Sequence, residues 1–122
     1  MTPGPQPSIL VVDDEPAIRL LCRINLELEG FAVEEAGSLD DARSVLGTAD
    51  IGVVLLDVHV GSDNGCDLLR ELRRDRPDVR VAMLTGDSGV EDDIAAADAV
   101  IPKPFAPEAM TAQVRALLGD AR

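Results

Sequence analysis

Ser8-Ile9-Leu10-Val11-Val12-Asp13-Asp14-Glu15-Pro16 joins an apolar run, a pair of acids and a helix start with no spacer between them. The run is rich in Val and Ile, too short for a helix and unbroken by polar residues. Such a pattern predicts a strand buried on both faces. Pro16 suits a first helical position, where its missing N–H costs nothing. Ile18, Leu21, Ile24, Asn25 and Leu28 follow at helical spacing, and Gly30 closes the segment.

The alternation then repeats. Residues 31–35 alternate like a strand exposed on one side. Ser38 is placed to cap a helix with Leu39, Ala42, Val45 and Leu46 on one face and Gly47 as its stop. Residues 51–57 form a second buried strand, and 59–65 read as a loop. A helix is expected over 67–76, with Leu68, Leu69 and Leu72 inward. Arg73, Arg74 and Arg76 lie at its carboxyl end, where cations suit the dipole, and Pro77 stops it. A strand over 79–84 follows. Residues 91–97 allow only about two helical turns. A short strand over 99–101 precedes a last helix that opens at Pro107 and carries Met110, Val114, Leu117 and Leu118 on one stripe. Five βα units in a row predict an α/β domain with a parallel sheet, right-handed crossovers and helices on both faces.

Of the 122 residues, 46% are hydrophobic, enough for a full core without disulfides or metal staples. Phe31 and Phe105 are the sole aromatics, so that core is aliphatic. The formal charge of −12 argues against a nucleic-acid backbone as partner. It fits a site that draws cations and partners with positive surfaces. Cys22 and Cys66 lie in neither a metal nor a redox spacing and are expected as buried thiols in a reducing cytoplasm. No apolar run approaches the roughly 20 residues of a membrane span, and no secretory signal is present. Residues 1–7 read as a disordered leader.

Four apolar runs end in residues suited to phosphate chemistry: Asp13 with Asp14, Asp57, Thr85 and Lys103. In an open parallel sheet these ends share one edge, where ligands bind. Clustered carboxylates raise one another's proton affinity, so Asp13, Asp14 and Asp57 would need a strong compensating charge to stay ionised together. Magnesium is the natural candidate, because it takes a few carboxylates and completes its shell with water and phosphate oxygens. A carboxylate can attack a phosphoryl group to give an acyl phosphate. Lys103 could hold one phosphoryl oxygen and the Thr85 hydroxyl could donate to another. Plainer readings exist for each: Asp13 and Asp14 as helix caps, Thr85 as an ordinary strand end, and Lys103 as a surface lysine.

Val11-Val12-Asp13-Asp14-Glu15, Asp57 at the end of an apolar strand, Thr85-Gly86 and Lys103-Pro104-Phe105, in that order, resemble the receiver domain of bacterial two-component response regulators. The resemblance covers residues 8–118, and the domain is expected over 8–119. It implies a flavodoxin-like, doubly wound, five-stranded parallel sheet of order 2-1-3-4-5 with a shortened fourth helix. Pro102 then falls on an edge strand, where proline is tolerated. By the same resemblance Asp57 is the phosphoacceptor. Asp14 binds Mg2+ directly, Asp13 does so largely through water, and the main-chain carbonyl of His59 is a further ligand. Thr85 is the switch hydroxyl, Lys103 the phosphate-binding cation, and the Lys103–Pro104 bond is cis. His59 and Asp87 occupy the positions that tune the lifetime of the aspartyl phosphate. A histidine kinase or phosphotransfer protein supplies the phosphoryl group to a cytoplasmic switch that is no enzyme beyond assisting its own phosphorylation and dephosphorylation. The output partner is left open.

The chain departs from the family in three places. Val100 stands where an aromatic switch residue is common. The segment between Thr85 and Lys103 is short by about one helical turn. Val60-Gly61 replace a common Met-Pro pair, while Gly65 is retained. Two other classes are therefore carried along. One is a degenerate receiver acting as an interaction module without phosphorylation. The other is a Mg2+-dependent phosphatase with an aspartyl nucleophile, although such enzymes generally carry a second carboxylate where this chain has His59. Little sequence follows Leu118, which fits a single-domain regulator, a relay shuttle and a piece of a longer chain alike.

Overall fold

The computed structural model describes residues 7–86 and 96–119. The elements are β1 (Ser8–Val12), α1 (Pro16–Leu28), β2 (Val33–Ala36), α2 (Leu39–Thr48), β3 (Ile51–Asp57), β4 (His59–Val60), β5 (Asp63–Asn64), α3 (Gly65–Asp75), β6 (Arg80–Thr85), β7 (Ala99–Pro102) and α4 (Pro107–Gly119). Five strands form one parallel sheet in the order β2-β1-β3-β6-β7, which is 2-1-3-4-5 when its strands are counted alone. This is the doubly wound, flavodoxin-like arrangement expected, and β7, with Pro102, is an edge strand. The shortened fourth helix expected over 91–97 falls mostly outside the described residues, as does Asp87.

The central strands have apolar side chains on both faces, and strict alternation divides them between two cores. Leu10, Val12, Val54, Leu56, Val81 and Met83 meet α2 and α3 through Leu39, Leu46, Leu69 and Leu72. Ile9, Val11, Val53, Leu55, Ala82 and Leu84 meet α1 and α4 through Cys22, Leu26, Met110 and Val114. Two glycines are required where they stand, one by its backbone conformation and one by a close approach. Gly30 takes the left-handed conformation (φ 93°) after α1. At Gly52 a Cβ would lie 2.8 Å from the ring of Pro7.

Several boundaries differ from the sequence reading. In α1 the buried positions are Cys22 and Leu26, whereas Ile24 and Leu28 face solvent. The apolar content of that helix exceeds what one face can hold, so spacing alone misplaces the stripe. Gly47 lies inside α2, which runs on to Thr48. Ser38 caps that helix as expected, its hydroxyl accepting from the Asp41 N–H at 3.1 Å. The stretch after Asp57 is a small antiparallel ribbon, β4 with β5, rather than a loop throughout. The next helix starts at Gly65 instead of Asp67, because the Asn64 side chain accepts the Cys66 N–H at 2.9 Å and caps it there. No described helix is long and apolar enough to cross a membrane.

Candidate functional site

Strand register decides which side chains meet. Val12 pairs with Leu56, so the residues that follow, Asp13 and Asp57, leave adjacent strands side by side. Thr85 pairs with Pro102, and the Lys103 N–H donates to the Thr85 carbonyl at 2.7 Å, carrying the ladder one residue past β7. Lys103 is held between two prolines, and the Lys103–Pro104 bond is cis, as the resemblance implied.

The Lys103 ammonium donates to Asp13 Oδ2 at 2.9 Å and to Asp57 Oδ2 at 3.1 Å, with Glu15 Oε1 at 3.9 Å. Both carboxylates it bridges are buried; Asp13 is wholly so. Their second oxygens face backbone: Asp13 Oδ1 accepts the Glu15 N–H at 2.9 Å, and Asp57 Oδ1 accepts the His59 N–H at 3.2 Å. Asp14 is exposed at the rim. Single carboxylate oxygens of Asp13, Asp14 and Asp57 lie within 4.8 Å of one another. Neither Asp13 nor Asp14 caps α1, whose N-cap is Glu15 with no side-chain cap bond; the Asp13 carboxylate holds the Glu15 N–H just before the helix and faces Asp57 and Lys103.

Burial pushes the Asp13 carboxyl above the ordinary carboxylate range; the neighbouring Asp57 charge adds to this, while the Glu15 N–H and Lys103 pull the other way. Burial alone would loosen the proton of Lys103, but its hydrogen bonds to Asp13 and Asp57 outweigh that and hold its pKa above the usual value. The pocket thus concentrates negative charge that one ammonium only partly offsets. All-oxygen donors, closely spaced and under mutual repulsion, fit a hard divalent cation.

Of the residues singled out in the sequence, Asp13, Asp14, Asp57 and Lys103 come together. Thr85 sits half-buried at the same edge, one strand over from Asp57. His59 is exposed on β4 beside Asp57. Val100 is on β7 and 42% exposed. Arg19 and an apolar hollow escaped the sequence reading, which noted Gly65 only as a position retained from the family. Arg19 donates to the Asp13 carbonyl, Gly65 passes against the Asp57 backbone, and an apolar hollow of about 260 Å³ opens beside Lys103, lined by Ile18, Leu21, Pro104 and Phe105. The Arg19 signal was present. A cation near the amino end of a helix opposes the dipole and calls for a specific acceptor.

The family model for the response regulator receiver domain matches residues 9–115. The chain is 35% identical over 119 residues to a probable transcriptional regulatory protein, TcrX, of Mycobacterium tuberculosis, covering 94% of this chain and 51% of that one. It is 36% identical over 118 residues to RpaA of Synechocystis, named a DNA-binding dual master transcriptional regulator, covering 92% and 49%. The chain thus spans about half the length of the curated relatives it matches. Among solved structures, a CheY-like receiver domain protein of Methanospirillum hungatei superposes with a TM-score of 0.89 at 28% identity, over 96% of this chain and 97% of that one. The receiver domain of NtrX from Brucella abortus superposes with a TM-score of 0.86 at 30% identity, over 92% and 98%.

Proposed function

The chain belongs to the response regulator receiver family, and from that premise we propose that it is a phosphoacceptor switch of a two-component or phosphorelay system, with Asp57 as the acceptor and the receiver occupying residues 8–119. The observation that carries this reading is the Lys103 ammonium set between the buried carboxylates of Asp13 and Asp57, with Asp14 at the rim.

Asp57 Oδ2 attacks the phosphorus of a phosphohistidine on a kinase or phosphotransfer partner. The new P–O bond forms as the P–N bond breaks, and the departing imidazole keeps the electron pair and takes up a proton. Lys103 moves from Asp57 to an oxygen of the incoming group, and the Thr85 hydroxyl donates to another. Asp13, Asp14, Asp57 and the His59 carbonyl would hold Mg2+, which supplies charge neutralisation for the transferring oxygens. The His59 N–H fixes one oxygen of Asp57 and so leaves the other to react. His59 and Asp87 are assigned to tuning of phosphoryl lifetime, and Val100 to a switch position without an aromatic ring. The hollow lined by Ile18, Leu21, Pro104 and Phe105 suits an apolar side chain of the phosphoryl donor. The acidic surface supports a domain that leaves nucleic acid to other parts of a system and works in the cytoplasm. It is a stoichiometric acceptor rather than an enzyme.

Incubation with acetyl phosphate and Mg2+, followed by intact mass and Phos-tag electrophoresis, tests this. One added phosphoryl group, lost in Asp57→Asn, is the expected result. Its absence under rapid acid quench would favour the interaction module. Multiple turnover of small phosphate esters would favour the phosphatase.

A further inference from the structure

We propose that Arg19 is a positioning residue for the acidic pair, fixing the Asp13–Asp14 peptide so that Asp14 faces the metal position. This rests on the reading of Asp13, Asp14 and Asp57 as a divalent-cation site. Arg19 Nη1 donates to the Asp13 main-chain carbonyl at 2.7 Å. Its Nε donates to Glu35 Oε1 at 3.2 Å, and the other oxygen of Glu35 accepts from Arg23 at 2.8 Å. The guanidinium is thus strung between the carbonyl on one side and a carboxylate of β2 on the other. Its side chain is only 20% exposed.

Asp13 is otherwise pinned at two points, its N–H donating to the Ala36 carbonyl at 3.1 Å and its side chain accepting from the Lys103 ammonium and the Glu15 N–H as described. The peptide that leads from it to Asp14 has its carbonyl held by Arg19. Asp14 itself makes no side-chain hydrogen bond or ion pair among the described residues, so its direction is set by the peptide before it. A second observation comes from Gly37. A Cβ there would lie 3.0 Å from Arg19 Nη1, and its three nearest atoms would all belong to that guanidinium, so the missing side chain leaves the slot that the guanidinium fills. Gly37 does not take the left-handed backbone conformation, so alanine there would press on Arg19 without straining the backbone.

Charge and geometry make opposite predictions, which lets an experiment separate them. As a mere positive charge, Arg19 repels a cation, and removing it would tighten binding. As a support, its removal loosens Asp14, and partners that orient metal ligands are typically worth 10–100-fold in affinity.

Mn2+ binding to the full chain, read as loss of the free-ion signal in electron paramagnetic resonance, is the measurement, with thermal unfolding alongside. Arg19→Met is expected to weaken Mn2+ binding by about tenfold, and Arg19→Lys, which keeps the charge but cannot span both acceptors, by less. Gly37→Ala should weaken it in the wild-type background and have no effect on top of Arg19→Met, the non-additivity of groups in contact. Arg43→Met, which breaks the remote pair with Glu71, should change unfolding without changing affinity. If Arg19→Met does not fold, the lysine and Gly37→Ala variants carry the test. Wild-type binding with unchanged or tighter binding in the folded Arg19 and Gly37 variants overturns the assignment. Absence of Mn2+ binding in the wild type instead overturns the metal-site reading beneath it.

Discussion

At Lys103 one ammonium serves two buried carboxylates from different strands. Lys103→Met would leave Asp13 and Asp57 facing each other without a cation. Breaking a buried ion pair costs 3–5 kcal/mol, but Lys103 retains 17% side-chain exposure, which lowers the expectation to about 2 kcal/mol. Urea unfolding of the metal-free protein measures this, and phosphorylation by acetyl phosphate should fall with it. Cys22 offers a pH test away from the site. Burial pushes its thiol from 9.0 up to about 12, and the Asp13 charge adds to this. Between those values the native chain keeps a proton that the unfolded chain has released, so stability falls as pH rises through the window. Cys22→Ala removes that slope. The gap in Tm between wild type and Cys22→Ala should therefore narrow from pH 9 towards pH 11; a constant gap would contradict the burial argument. The site aspartates and Lys103 were legible in the sequence because each is a polar residue ending an apolar run. Arg19 left only an indirect signal, a cation at the amino end of a helix, because its acceptor at the site is a backbone carbonyl that no side-chain pattern names.

Elements were legible where one force decides them. Every strand of the main sheet was found, the central ones from continuous Val, Ile and Leu runs and β2 from its alternation. Helix starts were less so, because a short-range bond decides them: Asn64 capping Cys66 moves the start of α3 to Gly65. The ribbon β4–β5 was missed because its residues, His59, Val60, Asp63 and Asn64, carry no strand propensity as a group. That ribbon returns the chain to Gly65, whose N–H donates to the Val58 carbonyl at 2.6 Å and where a Cβ would collide with the Asp57 carbonyl oxygen. Gly65→Ala must push backbone against backbone at the acceptor. It is expected to cost about 2 kcal/mol by analogy with overpacking and to slow phosphorylation, measured by urea unfolding and by Phos-tag time courses. In α1 the observed register separates two leucines. Leu26→Ala, fully buried, should cost about 3 kcal/mol, whereas Leu28→Gln, 78% exposed, should stay within about 0.5 kcal/mol. Equal effects would mean that the helix is turned differently.

For the whole molecule, the charge of −12 works against compactness. Raising NaCl from about 0.01 M to about 0.15 M shortens the screening length from roughly 30 Å to roughly 8 Å and should raise Tm. At matched ionic strength MgCl2 should raise it further, since a cation bound only by the native state adds stability by mass action. That excess should shrink in Asp14→Ala, and an excess of equal size would place the ion elsewhere. Fold class was legible at this scale because βα alternation admits few topologies, whereas the strand order was what the family resemblance implied. The two-sided division of the core followed from the same alternation. The Lys103–Asp13 bond joins positions 90 residues apart. A chain emerging from the ribosome therefore carries Asp13 and Asp57 long before it carries the ammonium that completes the pocket. The pocket is therefore whole only in a polypeptide that has been made past residue 103 and has closed on itself.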